Sequence, residues 1–254
     1  MNLGAYDHYG YAFVAVAGTF LAAWALQWAM SRPRNAAFLA SIRGVVPPFI
    51  NIIGVLFALT LAFLANDTWS AHDRAMNAVY READSLRSIV ALAGKLPEAT
   101  RTNVRAAVSD YADAAARVEW PLLGKREMSP PTTQKLDALL AVIAGDDVAA
   151  GAGAGVHALM LKQATEARDS RDQRIALSKT HVNPLKWLGM AFLGFVTMLS
   201  VAAVHADNAR AAFVAILLFA ASAAPTAAIV LVQGNPFQQP TAVSPAPIAA
   251  LAGG

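Results

Sequence analysis

The chain has 254 residues, 56% of them hydrophobic and 15% charged, with a mean hydropathy of +0.43; this is too apolar for a soluble domain and ordinary for a protein that crosses a membrane several times. Twenty basic residues against 17 acidic ones leave a net charge of +3, too small an excess to argue for a nucleic-acid partner. With no cysteine in the chain, disulfides, thiolate metal sites and cysteine nucleophiles are excluded.

Met1 to Gly10 contains no Lys or Arg, so it lacks the charged start of a secretory signal, and the apolar segment that follows is expected to be retained. Tyr11 to Met30 offers 20 residues whose polar side chains are Thr19, Gln27 and the ring ends of Tyr11, Trp24 and Trp28. The length and the terminal aromatics predict a first membrane span with interfacial anchors. Arg32, Arg34 and Arg43 lie in the short connection that follows, and Pro47-Pro48 opens a second span, where missing N–H groups matter least.

From Phe49 to Ala65 the only polar side chains are Asn51 and Thr60. Beyond Asp67 the apolar residues thin to Met76, Val79, Tyr80, Ala83, Leu86, Ile89 and Val90, the spacing of an amphipathic helix. No Pro or Gly lies between Gly54 and Gly94, so the pattern predicts one helix of about 45 residues that leaves lipid and enters water.

Gly94 and Pro97 mark a turn, and Pro97 to Glu119 reads as a helix with Val104, Val108, Tyr111, Ala115 and Val118 on one face, ended by Trp120-Pro121. A shorter helix capped by Thr132 or Thr133 carries Leu136, Leu139, Leu140 and Ile143. Gly151 to Gly155 reads as a flexible linker. A long helix then runs from Val156 to Asn183-Pro184; on it Glu166, Asp169 and Asp172, beside Arg168, Arg171 and Arg174, read as a salt-bridged bundle surface.

Leu185 to Val204 and Ala211 to Val232 are a third and a fourth span, joined by the tight connection His205 to Arg210. The tail from Gly234 holds too many prolines for a regular helix and is apolar enough to lie against protein or the membrane interface. The expected architecture is all-α: a transmembrane hairpin over residues 1–69, a soluble helical insertion over 70–183, a second hairpin over 184–233 and a Pro-rich tail over 234–254.

Four spans put both termini and the insertion on one side. Arg74, Arg81, Arg168, Arg171, Arg174 and Lys179 at the membrane ends of the insertion outweigh Arg32, Arg34, Arg43 and Arg210 opposite, which predicts a cytoplasmic insertion in an inner (plasma) membrane protein.

The residues offer little enzymatic chemistry. His8, His72, His157, His181 and His205 form no i, i+4 pair for zinc. Gly151-Ala-Gly-Ala-Gly155 has its third glycine out of place for a dinucleotide loop, and no Gly-x-Ser-x-Gly occurs. No catalytic residue, cofactor or metal is expected.

Two hydrophobic hairpins flanking a helical domain, with the second span continuing into it, resemble the plan of the bestrophin channels. The residues that carry the resemblance to the bacterial bestrophin-like family are Pro48-Phe49, Gly54, the run Leu59 to Phe63, Asn66, Trp69, Arg74 and Arg81-Glu82-Ala83, then Arg171 to Ile175 and Asn235-Pro-Phe237. The resemblance implies a homo-oligomer, a pentamer by analogy, in a lipid bilayer, conducting inorganic ions along its second spans. The insertion would extend the pore and hold the ring together.

The positions matching the family's apolar neck, spaced four apart after a glycine, are Val55, Leu59 and Phe63; such a ring would gate by excluding water, and the alternative is that the three face lipid or neighbouring helices, as most apolar residues in a span do. Asn51, Thr60 and Asn66 are polar groups suited to a pore wall, although two of the three equally suit helix–helix hydrogen bonds, Thr60 the more so. Asp67 and Asp73 stand where the helix leaves the membrane, and either an acidic ring or ordinary headgroup-level charge accounts for them. Two rival readings stay open: a four-span stator-like subunit of an ion-driven complex, and a non-conducting membrane scaffold or sensor.

Overall fold

The computed structural model describes residues 7–32, 34, 35, 37, 41, 46–179 and 183–253. Arg43, His181 and the side chain of His8, singled out above, lie outside them. The described elements are helical: α1 Asp7–Met30, α2 Val46–Ala93, α3 Glu98–Asp113, a π-helical segment Ala114–Glu119, α4 Trp120–Leu123, α5 Pro130–Ala144, α6 Asp146–Ser178, α7 Pro184–Val204, α8 Ala209–Val232 and α9 Ala246–Ala249.

Among the described residues four helices are long and apolar enough to cross a membrane: Tyr9–Met30, Phe49–Ala93, Pro184–Val204 and Ala209–Val232. The chain divides into two compact units, one of residues 1–69 and 181–234, the other of 70–180 and 235–254. Helix α2 contributes to both, as expected from a run of 48 residues without an internal Pro or Gly after Gly54.

In the first unit α7 and α8 form a tight hairpin. Asn208 caps α8 by accepting from the N–H groups of Arg210 and Ala211. Ala23 and Leu26 of α1 bury against Met198 and Ala202 of α7 and Ile216 and Ala220 of α8. Leu64 and Ala65 of α2 bury with Met190 of α7 and Ala227 and Val230 of α8. Phe57 of α2 lies against Gly194, where a Cβ would come within 3.1 Å of its ring, and its ring centroid is 5.5 Å from that of Phe219. Small residues let these backbones approach, which is how helices pack where apolar burial gives no net drive.

The second unit is a bundle with one apolar core: Val79, Leu86 and Ile89 of α2, Val104 and Tyr111 of α3, Leu136, Leu139 and Ile143 of α5 and Met160 and Ala167 of α6. The C-terminal residues complete it. Phe237, Val243 and Ile248 are buried in the same core, and the indole N–H of Trp120 donates to the Val243 carbonyl at 3.1 Å.

Three local expectations are corrected. The cap of α5 is Ser129, whose hydroxyl accepts from the Thr132 N–H; the two prolines that follow it hold the first turn, so the cap falls before them rather than at Thr132 or Thr133. Gly151 to Gly155 does join two helices, but through a kink at the single residue Gly153, with helical residues on both sides, rather than through a five-residue linker. Helix α6 begins at Asp146, with Asp147 beside it favouring its N-terminus, and Gly151 packs so closely that a Cβ would lie 2.8 Å from Pro97. The interruption is confined to Gly153, at φ 73° and ψ 157°.

The third correction concerns the face of α3. An uninterrupted α-helix would bury Val118, but Val118 is 46% exposed and Glu119 is fully buried. Pro121 lacks an N–H and its ring crowds the carbonyl four residues back, and the helix widens into π geometry just before it. The Ala114 carbonyl accepts from the Thr132 hydroxyl at 3.2 Å. Widening rotates every later side chain relative to the α-helical register.

Candidate functional site

Helix α2 within the first unit has two unlike sides. Phe57, Leu61, Leu64 and Ala65 face α7 and α8. Val55, Leu59 and Phe63, each two residues from one of the first three and so roughly 200° away around the helix, are 58%, 49% and 69% exposed. Asn51 and Asn66 are exposed as well. The three apolar side chains suggested as a neck therefore share a face that their own unit leaves uncovered.

Two of the polar candidates are engaged locally. The Thr60 hydroxyl donates to the Leu56 carbonyl of its own helix at 2.8 Å, which satisfies it without a second helix. The Asp67 carboxylate accepts from the Lys186 ammonium at 2.6 Å, so its charge is balanced where α2 meets the start of α7. Beside them the Trp69 indole N–H donates to the Gln233 side-chain oxygen at 3.0 Å. Asp73 is exposed on the second unit, as are Arg74 and Arg81.

The second unit holds a buried polar network that the sequence reading missed. Arg174 donates from Nε and Nη2 to the two oxygens of Glu82 at 2.9 and 3.0 Å, and its Nη2 lies 3.1 Å from Glu119 Oε2. Arg171 donates to Glu119 at 3.1 and 2.6 Å and to the Thr133 hydroxyl at 2.9 Å. The Tyr111 hydroxyl donates to Glu82 at 2.5 Å. Arg174 also stacks over the Trp120 ring, 5.1 Å from its centroid.

Two carboxylates and two guanidiniums cancel, and bidentate geometry gives each charge a partner, which is the condition under which buried ions are tolerated. Burial and then the Glu82 charge push the Tyr111 hydroxyl well above the ordinary tyrosine range. For Arg174, burial opposes the charge, but Glu82, Tyr111 and Glu119 outweigh it and hold the guanidinium above its usual value; for Arg171, burial is likewise outweighed by Glu119.

Arg171 and Arg174 are therefore core residues, whereas Glu166, Arg168, Asp169 and Asp172 remain on the surface. The signal was present in the spacing. Met160, Ala164, Ala167, Arg171, Arg174 and Ser178 recur at three and four, the same stripe that carries the helix's buried small residues.

Among the described residues no group of His, Asp and Glu is arranged to hold a metal ion. His157 contacts the Ile143 carbonyl and His205 the Val201 carbonyl through ring nitrogens.

These features define an all-α, multi-pass membrane protein with four spans, the second of which runs on into a helical bundle. The Bestrophin-like domain matches residues 17–248, and the chain belongs to that family. In fold it is similar to a crystal structure of a variant of a bacterial bestrophin homologue from Klebsiella pneumoniae, with a TM-score of 0.63 and 15% identity over 96% of this chain and 98% of that one. Two crystal structures of membrane-protein variants are similar at 16% identity: one with a TM-score of 0.59 over 97% and 96% of the two chains, the other with 0.60 over 95% and 93%. No curated protein matches the chain.

Proposed function

We propose that the chain assembles as a ring in the bacterial inner membrane, a pentamer by analogy with the bestrophin channels, and conducts ions along its second spans. The observation that carries this reading is the exposed apolar stripe Val55, Leu59 and Phe63, turned away from α7 and α8. Repeated around an axis, it makes a water-excluding neck, with Asn51 above and Asn66 below as wetted wall. Thr60 has no free proton to offer such a wall, because its hydroxyl bonds to its own helix.

At the mouth, Lys186 accompanies each Asp67, so a ring of Asp67 carboxylates is electrically balanced. Asp73 is the acidic candidate further along the helix. On this reading the insertion, 70–183, and both termini lie on the cytoplasmic side, the basic residues at its membrane ends that stay on the surface being Arg74, Arg81, Arg168 and Lys179. The reaction is passive transport, with no catalytic residue, cofactor or metal.

Purified protein is weighed in detergent and its ion flux measured in liposomes. A ring whose flux rises several-fold with Val55→Ala, Leu59→Ala or Phe63→Ala is the expected result. A ring that leaks only after a second protein is added indicates a stator-like subunit. A monomer or dimer without flux indicates a scaffold.

A further inference from the structure

We propose that the end of the first unit bearing Arg32, Arg34 and Arg210 binds the phosphate of an anionic phospholipid headgroup, through a guanidinium stacked on Trp28.

Helix α1 ends at Met30, and the turn after it is tied down. The Ser31 hydroxyl donates to the Trp28 carbonyl at 2.9 Å and the Asn35 side chain to the Ala29 carbonyl at 2.8 Å. The Arg32 guanidinium carbon lies 3.9 Å from the Trp28 ring centroid. A guanidinium lying over an indole keeps its N–H edge free for the two oxygens of a phosphate. Trp28 is half exposed, and an indole at the end of a span marks the headgroup level.

Arg210 comes to the same place. The Gln27 side-chain nitrogen donates to the Ala209 carbonyl at 3.3 Å, which sets the last turn of α1 beside the first turn of α8, where Arg210 is exposed. Arg32, Arg34 and Arg210 have no carboxylate partner among the described residues, and Asp207 in the neighbouring turn is already engaged. The other end of this unit behaves differently, since Lys186 there is held by Asp67 at 2.6 Å.

Three exposed cations, one lying over an aromatic ring, therefore stand without a carboxylate partner among the described residues at the end of the unit where Trp28 marks the headgroup level. A net negative headgroup completes them, and a zwitterionic one brings its own cation and does so less well.

The test is native mass spectrometry of the full-length protein in detergent doped with equal phosphatidylglycerol and phosphatidylcholine, comparing wild type with Arg32→Gln/Arg210→Gln and with Arg74→Gln/Arg81→Gln, which removes the same charge from exposed positions of the second unit. Phosphatidylglycerol is expected to be retained over phosphatidylcholine by wild type and by the second variant. The first variant loses that preference by about threefold to tenfold with its melting temperature unchanged, and millimolar inorganic phosphate does not displace the lipid. Equal retention by all three proteins, an equal loss in both variants, or displacement by free phosphate overturns the proposal.

Discussion

The guanidinium of Arg174 and the carboxylate of Glu82, 92 residues apart in sequence, meet through two hydrogen bonds of 2.9 and 3.0 Å with both side chains fully buried. The contact ties α6 to α2 inside the second unit, and the partners are chemically matched as well as spatially close. Removing one charge leaves the other in a medium that cannot solvate it, at a cost of about 3–5 kcal/mol. Glu82→Gln and Arg174→Met are each expected to lower the melting temperature of the purified protein by many degrees. The double variant should lose clearly less than the sum, because neither charge is then stranded. Additive losses in a double-mutant cycle count against the coupling.

Tyr111 supplies a pH-dependent component to the same network. Its hydroxyl is held neutral in the folded chain, first by burial and then by the Glu82 charge, so its folded pKa is raised. A raised folded value means that the contribution is complete below the unfolded value near about 10 and is lost as pH climbs from there toward the folded value. Tyr111→Phe is expected to destabilise the bundle by about 1–3 kcal/mol at neutral pH, since Glu82 loses a buried donor. The difference from wild type should narrow in melting curves above about pH 10, and a constant gap there rules the mechanism out.

Much of the architecture was legible because membrane-spanning helices announce themselves by length and apolarity, and the absence of Pro and Gly made the length of α2 readable. The buried network was harder to see. Arg171 and Arg174 were read from their charge, although their three-and-four spacing with Ala164, Ala167 and Ser178 placed them inside. Glu119 could not have been placed by periodicity at all, because the π segment before Pro121 breaks the register and exchanges it with Val118. The face of α2 that meets its own unit follows from Phe57 and Gly194, a complementarity of large and small that single-chain hydropathy does not encode.

Gly153 sits at φ 73° and ψ 157° within α6, a conformation that side-chain-bearing residues occupy only under strain of about 1–3 kcal/mol. Nothing lies within 4 Å of where its Cβ would stand, so the penalty of Gly153→Ala is expected to be conformational alone. Gly155→Ala, also open at 4 Å but without a positive φ, should be neutral or slightly stabilising, as Ala favours helix over Gly by about 1 kcal/mol. Opposite shifts of melting temperature in the two variants are the expected signature, and equal shifts would remove the backbone explanation.

Asp67 and Lys186, 2.6 Å apart and each about half exposed, contribute little to stability; an exposed pair is worth about 0–1 kcal/mol. Their consequence is electrostatic, and it depends on the proposed conduction pathway. Lys186→Gln leaves an uncompensated carboxylate on every copy, and a ring of such charges favours cations. Asp67→Asn leaves the ammonium alone and should shift the preference toward anions. Reversal potentials under a salt gradient in planar bilayers are therefore expected to move in opposite directions in the two variants, with melting temperatures nearly unchanged and the shifts diminished at high ionic strength. If conductance persists but neither variant moves the reversal potential, the pair stands away from the ion path and the role of Asp67 at its mouth is excluded.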